Sequence, residues 1–197
     1  MSHFLALSLF DASLQAVTGA ALQALEHLNY VASPVPFPPV PPQRHCDEEP
    51  QATLWTPAAC PGSCAFMSHS SDGWHSLTSI LATRLKVRTL KIRASAPAGP
   101  GYVCDFNLWS HGHERRKVMA LNDEPWVFFQ SGPAVPQEDL NMYKARRISD
   151  RVTASYLAEL AQRLGWPIAE PAFWNTNEQS VVLHSKALGS TDETSAA

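Results

Sequence analysis

The sequence predicts an α+β fold: a single domain whose mostly antiparallel sheet, built around a β-meander, is covered by helices. Three observations lead there. Between Tyr102 and Gln130 apolar and polar residues alternate, and short turn sequences interrupt the alternation twice, as in successive antiparallel strands. On either side, apolar residues recur at helical spacing behind residues suited to capping a helix. Finally, 197 residues at 45% hydrophobic can build one core, yet no apolar run approaches the roughly 18–20 residues of a membrane span.

Taken in order, residues 3–10 (HFLALSLF) read as a buried strand. An export signal carries a basic start and a longer apolar stretch, whereas here His3 is the only base and Asp11 ends the run. Asp11 stands at an N-cap position, and Leu14, Val17, Ala21, Leu25 and Leu28 continue at helical spacing, predicting a helix through Tyr30. Residues 33–42 contain six prolines, which fix φ and remove donors, so an extended connector is expected. Ala52 to Thr56 and Cys64 to His69 read as strands. Ser70-Ser71-Asp72-Gly73 supplies a turn and a cap for a helix with Trp74, Leu77, Ile80, Leu81 and Leu85 on one face. Val87 to Ala94 alternates like a strand in a half-solvated sheet.

In the meander, Tyr102, Cys104, Phe106 and Leu108 share one face, with Asp105, Asn107 and Trp109 on the other. His111-Gly112-His113 turns into a strand from Arg115 to Leu121, and Asn122-Asp123-Glu124-Pro125 turns into Trp126 to Gln130. A helix is expected around Glu138 to Ser149, and a clearer one from Thr153 to Leu164, ended by Gly165 and Pro167. The domain then spans 1–184, and 185–197, rich in Ser, Thr and Ala, is expected to be a flexible tail. The four cysteines are too few for a disulfide scaffold in so long a chain, which together with the missing export pattern predicts a cytoplasmic protein.

The usual chemical signatures do not occur: no phosphate-binding glycine loop, no nucleophile elbow and no H-E-x-x-H. His111 and His113, with Cys104 on the strand before them, make at most part of a zinc site. Cys60 and Cys64 are three residues apart, one more than a redox pair uses. The expectation is no catalytic residue, no metal and no cofactor. Two other readings stand beside it. A metal-dependent or Cys/His hydrolase would draw on His69, His75, His111 or His113, with Ser71 and Asp72 as further parts. An RNA- or phosphate-binding module would use Arg146, Arg147 and Arg151, although Glu138, Asp139 and Asp150 lie close enough in sequence to pair with those arginines. Arg115-Arg116-Lys117 reads as a solvated strand end.

Trp109, out of phase with its apolar neighbours, is expected at the surface as an interface anchor. Beside it the sequence places His111, His113, Asp123, Glu124, Glu138 and Asp139, a mixed aromatic and acidic surface.

The stretch Ser71-Asp72-Gly73-Trp74-His75-Ser76-Leu77, the meander after it and Tyr143-Lys144-Ala145-Arg146-Arg147-Ile148-Ser149-Asp150-Arg151 resemble small cytoplasmic immunity proteins encoded beside secreted antibacterial toxins, over roughly residues 64–166. That resemblance implies a protein that neutralises a cognate toxin by binding it, with no catalysis and neither a membrane nor a nucleic acid as partner.

Overall fold

The computed structural model describes residues 5–36, 50–95 and 101–186. Strand β1 (Leu5–Phe10) is apolar on both sides because it lies mid-sheet, antiparallel to β4 (Cys64–Ser68) and to β5 (Thr89–Ala94). From β5 the chain runs as a meander through β6 (Val103–Ser110), β7 (His113–Asn122) and β8 (Trp126–Ser131). On the other side, β4 pairs with β3 (Ala52–Trp55), followed by β9 (Ser180–Ser185) and the edge strand β2 (Tyr30–Val35). Among the described residues nine strands are ordered β2-β9-β3-β4-β1-β5-β6-β7-β8, every pairing antiparallel. The α+β class and the antiparallel sheet expected from sequence are thus the observed architecture.

Helices α1 (Leu14–Ala24) and α2 (His75–Leu85) cover one face of the sheet, where Phe10, Leu54 and Phe66 meet Val17, Leu77 and Leu81. Helix α3 (Ala154–Arg163) and the segment leading to it cover the opposite face, over Ile92, Phe106 and Leu108. Cover on both sides corrects the half-solvated reading of β5, in which Leu90, Lys91 and Ile92 are all buried. Alternation in a two-sided sheet sorts residues between two interiors, not between core and water.

Several boundaries also differ from the sequence reading. Ser13, not Asp11, caps α1, its hydroxyl accepting from the Ala16 amide at 3.2 Å, while Asp11 accepts from Arg88 Nε at 2.8 Å. The helix ends at Ala24 and not Tyr30: Asn29 turns the chain through a left-handed conformation (φ 55°) and Tyr30 opens β2. Asparagine tolerates that conformation better than most residues. Leu28, which had fitted the helical spacing, is exposed. The proline-rich connector does not begin at 33, since Ser33, Pro34 and Val35 pair with β9; an edge strand accommodates a proline because one side of it needs no donor. Residues 37–42 of the connector lie outside the described residues.

On α2, Ile80 faces outward and Thr78 and Ala82 join Leu77 and Leu81 inside. The helix expected around Glu138–Ser149 is absent. Two short 3-10 turns, Met142–Lys144 and Ile148–Asp150, stand in its place. The Glu138 and Asp139 carboxylates accept from the amides of Val135 and Asn141, local bonds that compete with a helical ladder. α3 forms as expected, with Thr153 accepting from the Tyr156 amide, and Gly165 beyond its end at φ 95°. Strand β9 had no counterpart in the sequence reading. It takes in Ser185, so the expected tail loses its first residue to the sheet, and residues 187–197 lie outside the described residues.

Gly132, just after β8, has φ +76°, and a Cβ there would run into the Arg115 carbonyl. Gly132→Ala combines a left-handed alanine with a backbone clash, so a loss of about 3 kcal/mol is expected, or roughly 6–12 °C in Tm. Thermal unfolding of the variant checks this. A shift within about 2 °C would show that the turn yields freely.

Candidate functional site

The residues singled out from sequence do not form one surface. Trp109 is a core residue, 2% exposed, its ring 5.9 Å from that of His75 beneath α2. It is out of phase with Phe106 and Leu108 because it belongs to the second interior. His111 and Gly112 carry positive φ, as a two-residue hairpin turn requires, and His111 and His113 are exposed at its tip. Asp123 and Glu124 are exposed too, but at the far end of β7, whose ten residues put the two turns roughly 30 Å apart. Cys104 is likewise distant from the histidines: it is buried and pairs with Ala120 near that far end.

Glu138 is no surface acid. Its side chain is fully buried and accepts from Arg116 Nε at 3.0 Å and Nη2 at 2.9 Å, from the Val135 amide at 2.8 Å and from the Tyr143 hydroxyl at 2.6 Å. Tyr143 in turn shares a 2.8 Å hydrogen bond with Tyr156 on α3. Burial, then the bond to Glu138, pushes the Tyr143 pKa far up. Arg116, read from sequence as part of a solvated strand end, is 3% exposed. A bulge in the β6–β7 pairing causes this: Leu108 pairs with Arg116 and Trp109 with Glu114, so Arg115 is the extra residue and Arg116 turns inward. Asp139 is half-buried and bonded to the Asn141 amide at 3.0 Å. The Arg116–Glu138–Tyr143 network fastens the 131–153 segment to the sheet, and it takes Glu138 out of a partner's reach.

Two features of the sheet face under α1 and α2 remain open, one along β7 and β8 and one between α2 and strands β5 to β7. The first is apolar. Leu121 pairs with Val127 and Met119 with Phe129, and Val127 and Phe129 are 40% and 44% exposed. Asp123 and Glu124 sit in the turn just past this patch, and Lys117 Nζ lies 5.9 Å from the Phe129 ring at its other end.

The second is a polar recess of about 200 Å³ between the start of α2 and strands β5 to β7. Register builds it: Lys91 lies opposite Asn107, and Asn107 opposite Lys117, while Arg93 lies opposite Asp105. Lys91 and Asp105 are 2% and 1% exposed. Arg93 binds Asp105 Oδ2, with Nε at 2.8 Å, but Oδ1 has no hydrogen-bond partner among the described residues. No hydrogen bond or ion pair to a described residue accounts for the Lys91 ammonium either. Burial lowers its pKa from the ordinary 10.5 to about 8, against the opposing pull of Asp105. Burial and the charges of Lys91 and Lys117 also lower the His75 pKa. Asp72, two residues before the Trp74 N-cap of α2, accepts from the Trp74 amide at 2.8 Å and the His75 amide at 3.3 Å; burial works to raise its pKa, but the Ser70, Trp74 and His75 bonds outweigh that and hold it low. The sequence reading missed this recess. Its trace was there, in charged or amide residues at alternate positions of three neighbouring strands, but only register showed that they converge.

The other candidates resolve singly. Cys60 is half-buried and Cys64 buried, burial raising both thiol pKa values. Arg146 and Arg147 are exposed, and Arg151 donates to the Ala145 carbonyl at 2.9 Å and covers the Phe128 ring at 5.0 Å. Glu138 pairs with Arg116, not with those arginines as its sequence position had suggested. Among the described residues no group of three or more His, Cys, Asp or Glu is placed to hold a metal ion, and no helix is long and apolar enough to cross a membrane. Comparison of the chain with protein-family models, curated proteins and solved structures finds no match.

Proposed function

We propose that the chain is an immunity-type binding protein that neutralises a cognate toxin or effector by seating it on the open β7–β8 end of the sheet face that α1 and α2 cover. The observation that carries this reading is the pair Val127 and Phe129, exposed on adjacent positions of one strand face beside Met119 and Leu121. Large apolar side chains grouped this way mark a surface that another molecule covers. Asp123 and Glu124 at the rim suit a basic partner and speed its encounter. Of the seven residues that the sequence places in a mixed aromatic and acidic surface, these two adjoin the patch. The bound partner would be held inactive by occlusion in its cytoplasm of origin, with no bond made or broken on this chain.

The test is co-expression with the product of the adjacent reading frame. This chain should protect cells from that product and co-purify with it. Val127→Asp together with Phe129→Asp should abolish both effects while leaving the fold intact. Asp123→Lys with Glu124→Lys should slow association by about tenfold at low salt and far less at high salt. An association rate indifferent to the charge reversal and to salt would place the interface elsewhere. No complex at all would end the reading.

A further inference from the structure

We propose that the recess between α2 and strands β5 to β7 binds a small carboxylate that carries its own hydrogen-bond donor, an α-hydroxy or α-amino acid, with Lys91 holding the carboxylate and Asp105 Oδ1 receiving the donor. The case starts from what the recess leaves unmet. Arg93 is committed to Asp105 Oδ2, Asp72 to the first amides of α2, and Asn107 donates to Glu114 at 2.9 Å. What is left is the Lys91 ammonium, which lines the recess, and Asp105 Oδ1, which is buried without a partner among the described residues; the two residues are 2% and 1% exposed. Buried polar groups without partners are costly, and native chains rarely keep them without a use.

The two needs are opposite in kind, which narrows the ligand. A plain anion would satisfy Lys91 and set its lone pairs against Asp105. A plain cation would do the reverse. A molecule offering an acidic group and a donor a few bonds apart satisfies both. Lys91, Arg93 and Lys117 against Asp72 and Asp105 leave one positive charge, which an α-hydroxy acid neutralises as a monoanion, whereas an α-amino acid meets Lys91 and Asp105 with its own two opposite charges. At about 30 Å³ per water, the recess of about 200 Å³ has room for roughly seven non-hydrogen atoms. Its geometry is also fixed in advance. Gly73, at φ +70°, passes so close that a Cβ there would lie 3.1 Å from Lys91 Cε and 3.2 Å from Ala6 Cβ, so the backbone clamps the lysine stem. The site meets the apolar patch at Lys117, but its ligand groups, Lys91 and Asp105, lie outside the patch, and binding does not depend on a protein partner.

The probes are glycolate, glycine and acetate, titrated into the isotope-labelled full chain and followed by amide shifts in β5 and β6. Glycolate or glycine should shift Lys91, Asp105 and Asn107 saturably, and bind at least about tenfold tighter than acetate, a margin of about 1.4 kcal/mol. Lys91→Met should abolish the shifts in a chain that keeps its fold. Four results would each overturn the proposal: no saturable shift with glycolate or glycine, acetate binding equally well, retention of binding by Lys91→Met, or unfolding of that variant, which would show the ammonium to be a structural group.

Discussion

Glu138→Ala should lower the unfolding free energy by about 3–5 kcal/mol, because it leaves one partner of a buried ion pair alone. The magnitude follows from what is stranded. Arg116 is 3% exposed and Tyr143 8%, so neither gains water when the carboxylate goes. Arg116 would keep its contacts to the Gly132 carbonyl at 2.8 Å and to Gln130 Oε1 at 2.9 Å, but its charge would have no counter-ion. Glu138→Gln, which still accepts from Tyr143 and the Val135 amide, should lose about half as much. Arg116→Met combined with Glu138→Leu should recover much of the loss, because a buried ion pair is replaced by apolar contact and no charge is left alone. Denaturant unfolding of the wild type and these three variants checks it. A loss under about 1 kcal/mol in Glu138→Ala would mean that the carboxylate is effectively solvated.

Lys91→Met should act in the opposite direction and with a distinct pH signature. The folded pKa of Lys91 is about 8 against an ordinary 10.5, so between those values the unfolded chain holds more protons and the wild type gains stability as pH rises. Below about pH 8 the cost of the buried ammonium is present in full; above about pH 10.5 it is gone. Methionine carries no such cost. The variant should therefore be the more stable protein at pH 7, and its advantage should shrink by about 3 kcal/mol as pH rises through that window. The groups that face Lys91 are Asp72 and His75 at the start of α2, Arg93 on β5, Asp105 on β6 and Lys117 on β7. His75, its pKa lowered, stays neutral throughout the window, and the buried thiols and phenols are common to both proteins and cancel in the difference. Paired denaturant curves at pH 7, 8, 9 and 10 read it out. A pH-independent difference, or a less stable variant at pH 7, would mean that the ammonium is well accommodated. A lysine kept at such a cost is the pattern of a site that sacrifices stability for binding.

Much of the fold was legible because it is local. The meander announced itself through alternation and two short turns, and α3 through Thr153, the run Tyr156-Leu157-Leu160 and Gly165. The site was hardly legible. Trp109 and Arg116 were both assigned to solvent, the first because a second interior leaves no sequence mark, the second because one extra residue in a bulge reverses which way every later side chain points. Lys91 and Asp105 are 14 positions apart in sequence, and nothing local says that they share a recess.

The sequence by itself determined the α+β class, the run of β5 to β8 and the helix before Gly165, since these follow from periodicities of two and 3.6 residues and from caps. Only the tertiary structure decided where β9 inserts, which carboxylate Arg116 meets and which charges face one another across β5, β6 and β7. Those outcomes depend on register and on what covers each face of the sheet, and both are set by contacts between residues far apart in the chain.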